Sequence, residues 1–471
     1  MNFSKHPRPE ILVSLSNLEP TPFWLDNPNH PETLPSLTRS INADLVVVGG
    51  GYTGLWTALL AKEKNPSCNV VLLEASEVAW GASGRCGGFV SAMLTHSFKN
   101  GLQRWPNELA TIIKMGHSNL NEIEKTIKRY NIDCDFIRSG ELKVTSKPSE
   151  VKFLIEDSVE SNHYGEKVKF YNQEEVRAIV NSPTYLAGVL NPANAIVNPA
   201  HLAWGLRRAC LSLGVQIFER TKATGLENGT SDVVVKTEYG QVRSKKVVLA
   251  TNAFPPLLKH LKRYIVPVYD YILVSEPLSQ EQRASINWKG REGLVDVSNQ
   301  YHYYHYTADG RILWGGYDAI YNWNNGMGPQ FESRPKTFGM LADHFFQIFP
   351  QLEGLHFTHG WGGAIDTCSR FTSFWGTEFD GKLSYTLGYT GLGLAASRFG
   401  AKVMLDLLDK KKNDRTNLKM VQTKPFPFPP EPLRSLTINA TRWSLNRADE
   451  NDGKRNWWLR LLDALGLGFN S

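Results

Sequence analysis

The sequence predicts an α/β fold (α+β mixed). A Rossmann-like nucleotide-binding domain of discontinuous segments is expected, with a second domain built on a mixed or antiparallel sheet. Three observations carry this. An apolar run, Asp44-Leu45-Val46-Val47-Val48, leads straight into Gly49-Gly50-Gly51-Tyr52-Thr53-Gly54, which has Gly-x-Gly-x-x-Gly spacing. A helix-compatible segment follows and ends in Val70-Val71-Leu72-Leu73-Glu74, a second strand closed by an acid. Strand-turn-helix character then returns far along the chain, at residues 383–408. The glycines let the backbone turn and approach a pyrophosphate. The helix start after Thr53 offers that anion free N–H groups and the positive end of a dipole. Glu74 stands where a carboxylate accepts from ribose hydroxyls. The turn by itself suits any dinucleotide.

The elements follow in chain order. Residues 1–42 are a polar lead-in with Pro20, Pro22, Pro28, Pro31 and Pro35, pinned to the body by Phe23 and Trp24. Residues 43–90 form the nucleotide-binding unit. Residues 104–130 and 149–163 read as amphipathic helices, because Leu109, Ile112, Ile113, Leu120, Ile123 and Ile127 recur at helical spacing. Asn198-Pro199-Ala200 opens another helix, with Asn198 as cap and Pro199 in the first turn. Residues 215–218, 233–235 and 242–253 read as a β-meander ending in a buried strand. Residues 265–345 mix strands with aromatics, including Tyr301, Tyr303, Tyr304, Tyr306 and Trp314. Lys410-Lys411-Lys412 and the prolines of 425–432 mark a linker, and the tail beyond it reads as helical.

Composition narrows the function. The chain has 471 residues, enough for more than one core, with 41% hydrophobic and 21% charged residues. Its net charge of +6 is spread among interleaved acids, so nucleic-acid binding is not implied. Five cysteines are scattered without metal-site spacing, so neither a metal nor a disulfide framework is expected. No run of about eighteen apolar residues is present to span a bilayer. With no apolar signal segment at residues 1–7, a cytoplasmic setting is the expectation.

A family resemblance enters at Gly81-Ala82-Ser83-Gly84-Arg85-Cys86-Gly87-Gly88. With the opening turn, this stretch resembles the FAD-dependent D-amino-acid-oxidase (DAO) superfamily. Within it, the chain is similar to the branch holding glycine oxidase, sarcosine oxidase and γ-glutamylputrescine oxidase. That branch commonly has asparagine where this chain has Cys86. The likeness continues through Asn198-Pro199-Ala200-His201-Leu202, Leu249 to Ala253, Asp309 to Gly316 and Gly388 to Gly393. It covers roughly residues 20 to 410. It implies an FAD-binding domain of residues 43–95, 196–264 and 350–410, a substrate domain of 96–195 and 265–349, and a C-terminal helical extension, 411–471.

The resemblance also implies residue roles. Gly49, Gly51, Tyr52, Thr53 and Gly54 would cradle the FAD pyrophosphate, and Glu74 with Ala75 would hold the adenosine ribose. Ala82, Ser83, Arg85, Cys86, Gly87 and Gly88 would pass beside the pyrophosphate and the flavin ring. Ala223 would touch adenine, and Thr251 and Asn252 would close the nucleotide pocket. Gly362 would lie near the flavin. Gly391, Leu392, Gly393 and Leu394 would open the last helix toward the flavin pyrimidine. Cys86 is expected as a small packing substitute that leaves the FAD non-covalent, with a covalent link through its sulfur, as in some relatives, as the alternative.

Five residues are candidates for substrate contact. The run Tyr301 to Tyr306 alternates, so one side can face a cavity and wall in an amine by cation–π attraction; Tyr301, His305 and Trp314 come from this region. Trp361 precedes Gly362-Gly363 near the flavin position, where packing is an equal alternative. Thr390 stands where relatives often place an arginine for a substrate carboxylate. Threonine cannot form that bidentate pair, which favours an amine over a simple α-amino acid. If Gly316-Tyr317 is aligned with the matching Gly-Tyr pair of sarcosine oxidase, the resemblance puts that enzyme's oxygen-activating lysine at Trp314, so fast use of oxygen is not implied and another acceptor stays open.

The resulting expectation is oxidation of a C–N bond in a primary or secondary amine or amino acid. Hydride would pass to flavin N5, the imine would hydrolyse, and oxygen would be reduced to hydrogen peroxide. No catalytic acid or base is assigned. A dehydrogenase passing electrons to a quinone or protein carrier stays open, as does a non-catalytic FAD module. An oligomer is possible, and the basic tail is expected to dock on the protein's own surface or a sister subunit rather than on a membrane.

Overall fold

The computed structural model describes Phe3 and residues 6–468. Its first sheet grows from the apolar strand Ser40–Val48. That strand runs parallel to Val70–Leu73 on one side and to Gln241–Leu249 on the other. Gln216–Phe218 adds in parallel beyond Val70–Leu73, and Leu383–Leu387 beyond Gln241–Leu249. Phe374–Glu378 closes that edge antiparallel. Both faces of the central strands are covered, so they read as continuous apolar runs. Leu45, Val47, Val70 and Leu72 meet the helices Tyr52–Lys64, Pro199–Ser212 and Gly393–Leu408. Val46, Val48, Val71 and Leu73 meet Val233, Val235, Leu258 and Tyr385 on the other face.

One expectation needs correction. Val215–Phe218 is not part of the meander, because Gln216–Phe218 pairs in parallel with Val70–Leu73. The meander is Gly225–Asn228, Val233–Lys236 and Gln241–Leu249. The cause lies just upstream. Helix Pro199–Ser212 carries the chain back along the layer, so the strand after it enters in the parallel sense. Asn198 caps that helix by accepting from His201 N.

The second sheet has the order Ile320–Tyr321, Val266–Ser275, Ile312–Gly316, His302–Tyr306, Gly293–Asp296, Glu141–Thr145, Ala187–Asn191, Lys169–Tyr171. Among the described residues its pairings are antiparallel, apart from Gly293–Asp296 alongside Glu141–Thr145. Phe357–Thr367 pairs antiparallel along Val266–Ser275, although it lies within the stretch expected in the nucleotide-binding domain. It serves both layers: Phe357 belongs to the second core and Trp361 to the first. The sheet's far face buries Leu142, Tyr271, Tyr304, Ile312 and Trp314 against helix Pro335–Ile348. Its near face looks toward the first sheet.

The tail forms helices Leu433–Glu450 and Trp457–Ala464. Asp449 ties the longer one to the body. Its carboxylate accepts from the Asn299 backbone N (3.0 Å) and Nδ2 (2.7 Å), and from Gln300 N (3.0 Å). No helix among the described residues is long and apolar enough to cross a membrane.

Candidate active site

A cavity of about 590 Å³ lies between the sheets, at the carboxyl ends of the first sheet's parallel strands. This is where open α/β sheets bind ligands. The opening turn forms one wall. Gly49 has φ +112°, and a Cβ added there would lie 2.4 Å from the Ala250 carbonyl oxygen. A Cβ on Gly54 would lie 1.8 Å from the Gly49 oxygen. Strand, turn and helix therefore meet too closely for any side chain. Gly54 itself sits behind the turn, off the cavity wall, while Gly49, Gly51, Tyr52 and Thr53 line it.

Around that turn the backbone is held by side chains. Ser83 Oγ accepts from Tyr52 N (2.9 Å), and Tyr52 Oη donates to the Pro199 oxygen (2.6 Å). Glu74 accepts from Gly50 N (2.6 Å) and Ser76 N (2.8 Å). Burial pushes the Glu74 carboxyl up, and those N–H groups act against the rise. Helix Tyr52–Lys64 and helix Gly393–Leu408 both start at the cavity with no side-chain cap. Each offers first-turn N–H groups without an intrahelical partner. A glycine backbone, two uncapped helix starts and a carboxylate at a strand end fit a flavin dinucleotide in size and charge.

The loop from Ala82 to Gly88 has a tighter anchorage than its sequence suggests. Three consecutive carbonyls accept from three rings. Trp361 Nε1 donates to Arg85 O (2.9 Å), and Trp24 Nε1 to Cys86 O (3.0 Å). His305 Nε2 bonds Gly87 O at 2.8 Å. Burial lowers His305 to about 4, so the ring is neutral and Nε2–H is the donor. Its ring stacks on Trp24, with centroids 6.1 Å apart. Arg85 donates to Trp80 O (2.9 Å) and pairs with Glu332 (2.7 Å). Cys86 is among the residues lining the cavity, and burial pushes its thiol up to about 11.

The second sheet's near face supplies the remaining wall. Pleating decides which residues reach it. Tyr304 is the register partner of Trp314, so both point to the far face, where their rings meet at 4.4 Å. Tyr303 and Tyr301 point the other way and line the cavity. Glu141, Lys143, Asn191, Val295 and Asp270 share that near face with them. Tyr303 Oη donates to Asp270 Oδ2 at 2.5 Å.

Most residues singled out from the sequence come together around this cavity: Gly49, Gly51, Tyr52, Thr53, Glu74, Ala75, Ala82, Ser83, Arg85, Cys86, Gly87, Gly88, Ala223, Thr251, Asn252, Tyr301 and Gly391 to Leu394. Others lie elsewhere. Trp314 is fully buried in the second core. Trp361 and His305 sit behind the loop that they hold. Gly362 faces Tyr271, while its neighbour Gly363 lines the cavity. Thr390 has φ +50°, and its hydroxyl is turned into the Cys368–Gly388 turn. Asp270, Glu141 and Asp366 are not among the sequence candidates, and Tyr303 lies in the aromatic run without being singled out from it. A lone carboxylate within the otherwise uncharged run Val266–Ser275 was the available signal for Asp270.

Comparison with known proteins identifies the family of the chain. The family model described as FAD dependent oxidoreductase (DAO) matches residues 44–407. The chain is 29% identical over 417 residues to gamma-glutamylputrescine oxidoreductase of Escherichia coli, covering 86% of this chain and 92% of that protein. It is 28% identical over 398 residues to a probable oxidoreductase, OrdL, of Haemophilus influenzae, covering 82% and 87%. Among solved structures, glycine oxidase from Geobacillus kaustophilus aligns with a TM-score of 0.68 at 17% identity, covering 81% of this chain and 98% of that one. L-proline dehydrogenase from P. horikoshii aligns with a TM-score of 0.66 at 20% identity, covering 81% and 96%. These structural likenesses show the fold. The chain belongs to the FAD-dependent oxidoreductase (DAO) family, and its cofactor is FAD.

Proposed function

From that membership, we propose that the protein oxidises the C–N bond of a cationic amine, primary or secondary, with oxygen as electron acceptor. The observation that carries this reading is the charge of the cavity beyond the glycine turn. Glu141, Asp157, Glu166, Asp270 and Asp296 line it, against Lys143, with Lys222 next to Ala223 as a further cation of the lining. An acidic wall raises the local concentration of a cation. Arg85 is the arginine of the wall among the described residues, and it is engaged by Trp80 O and Glu332. A simple α-carboxylate would therefore lack the usual guanidinium clamp. The Escherichia coli relative, by its name, acts on an amine as well.

Bound FAD would supply the redox chemistry, taking a hydride from the carbon beside nitrogen and returning the electrons to oxygen as hydrogen peroxide. The chain's own part is placement. The near face of the second sheet positions the amine, and the loop from Ala82 to Gly88 fixes the wall it faces. The Cys86 thiol, pushed up to about 11, stays protonated at neutral pH, which supports non-covalent FAD.

Anaerobic bleaching of the yellow holoprotein tests the reading. Simple amines, polyamines, N-methyl amino acids and α-amino acids are added in turn. Amines without an α-carboxylate are expected to bleach it fastest. If none does, the amine assignment fails. With an active amine in hand, peroxide formation supports oxygen as acceptor, whereas dye reduction without peroxide overturns it. Acid precipitation should leave a yellow supernatant.

A further inference from the structure

We propose that Tyr303 and Asp270 form a proton relay that deprotonates the substrate ammonium in the cavity. The inference rests on the amine reading above and assigns that site a base. An aliphatic amine arrives protonated, since its ordinary pKa is about 10. Hydride can leave the adjacent carbon only when nitrogen has a lone pair to push. The proton therefore has to pass to an acceptor at the site.

The geometry points to one acceptor. Tyr303 Oη donates its hydrogen to Asp270 Oδ2 at 2.5 Å, which leaves the phenol oxygen with lone pairs for an N–H. Both residues line the cavity. The Tyr303 ring is held in place from two sides. A Cβ on Gly87 would come within 2.5 Å of it, and one on Gly315 within 2.7 Å. Phe89 meets it edge-on at 5.7 Å. Gly87 belongs to the loop fastened by Trp24, Trp361 and His305, so the ring stands beside the wall expected to carry the flavin. Asp270 Oδ1 accepts from Tyr271 N at 2.8 Å, which orients the carboxylate.

In the step, one substrate N–H bond breaks and its proton joins Tyr303 Oη. The phenol's own proton passes to Asp270 Oδ2. The products are a neutral amine, an unchanged phenol and a protonated Asp270, and no electrons are exchanged. Burial pushes the Asp270 carboxyl up to about 6, and the Tyr303 phenol well above its usual value. The carboxylate thus takes a proton more readily than an exposed aspartate, while the phenol hands one on without remaining ionised. The charged and titratable groups around the pair are few. Asp318, paired with Arg334, acts on Asp270 from the loop after Gly316. Tyr301 and Cys86 act on Tyr303, and the phenols of Tyr301 and Tyr271 also lie within reach of the Asp270 charge. Across the sheet, Asp270 faces Gly363, which brings no charge.

The test uses holoprotein and the amine that bleaches it fastest. Stopped-flow flavin reduction is followed from pH 5 to 10 in wild type, Tyr303→Phe and Asp270→Asn. Wild type should show its rise near neutrality. Both variants should lose at least about 100-fold at pH 7, a general base's usual contribution, and should recover toward the amine's own ionisation at high pH. A purely structural lesion would lower the rate without moving the inflection. An unmoved inflection, or a loss within threefold at pH 7, overturns the relay. If no amine bleaches wild type, the functional reading has failed first.

Discussion

At the scale of single residues, the site depends on hydrogen bonds that hold backbone rather than on side chains that reach ligand. The three consecutive carbonyls of Arg85, Cys86 and Gly87 would otherwise be free to reorient, and each is tied by a buried ring. A neutral hydrogen bond of this kind contributes about 1 kcal/mol net. Trp24→Phe keeps most of the apolar area and removes the bond to Cys86 O. The expected result is up to about tenfold weaker FAD binding by the apoprotein, since 1.4 kcal/mol is a factor of ten. Titration of the apoprotein with FAD, followed by flavin fluorescence, reads this directly. Affinity within twofold of wild type would show that the loop keeps its shape without that donor.

At the scale of elements, the tail helix Leu433–Glu450 acts on the cavity through one carboxylate. Asp449 takes three N–H groups from Asn299 and Gln300. The neighbouring residues Asp296 to Ser298 and Tyr301 line the cavity. Lys147 Nζ donates to the Asp449 carbonyl at 2.8 Å and fastens the same joint to the start of helix Pro148–His163. Asp449→Ala should therefore loosen residues 296–301 while leaving FAD in place. KM for the amine should rise several-fold with kcat little changed, and hydrogen exchange should quicken at residues 296–301. An unaltered KM with unaltered exchange would count against a role for the tail in shaping the wall. Legibility from the sequence also divides at this scale. The glycine turn, its flanking strands and the Asn198 cap were readable because backbone geometry demands particular residues there. Trp314 was misleading because strand alternation is visible in sequence, but its phase is not. Only the register Tyr304 to Trp314 tells which side faces the cavity. Gln216–Phe218 escaped for a related reason: a three-residue edge strand has no alternation to separate parallel from antiparallel pairing.

At the scale of the whole molecule, the cavity exists because two sheets with separate cores face one another, bridged by Phe357–Thr367. That arrangement buries carboxyls between the layers, and one of them carries a measurable consequence. Asp366 lines the cavity at 2% exposure and accepts from Gly388 N at 2.6 Å. Burial pushes its carboxyl up to about 7, against those backbone donors. Because the folded value lies above the unfolded one, the folded state binds the proton more tightly. The stabilisation is therefore complete below about pH 4 and is lost as pH rises to about 7. Moving a carboxyl from 3.8 to about 7 corresponds to about 4 kcal/mol. Surface carboxylates beside cations, such as Glu77 with Arg220 and Asp44 with Lys245, are held low and tilt stability the opposite way. The whole curve thus hides the Asp366 contribution, and a difference exposes it. Asp366→Asn keeps an oxygen for Gly388 N and removes the titration. Denaturant unfolding of the two apoproteins should show the variant gaining on wild type by a few kcal/mol between pH 4 and 8. A constant gap across that range would mean that Asp366 is ionised throughout in the folded molecule.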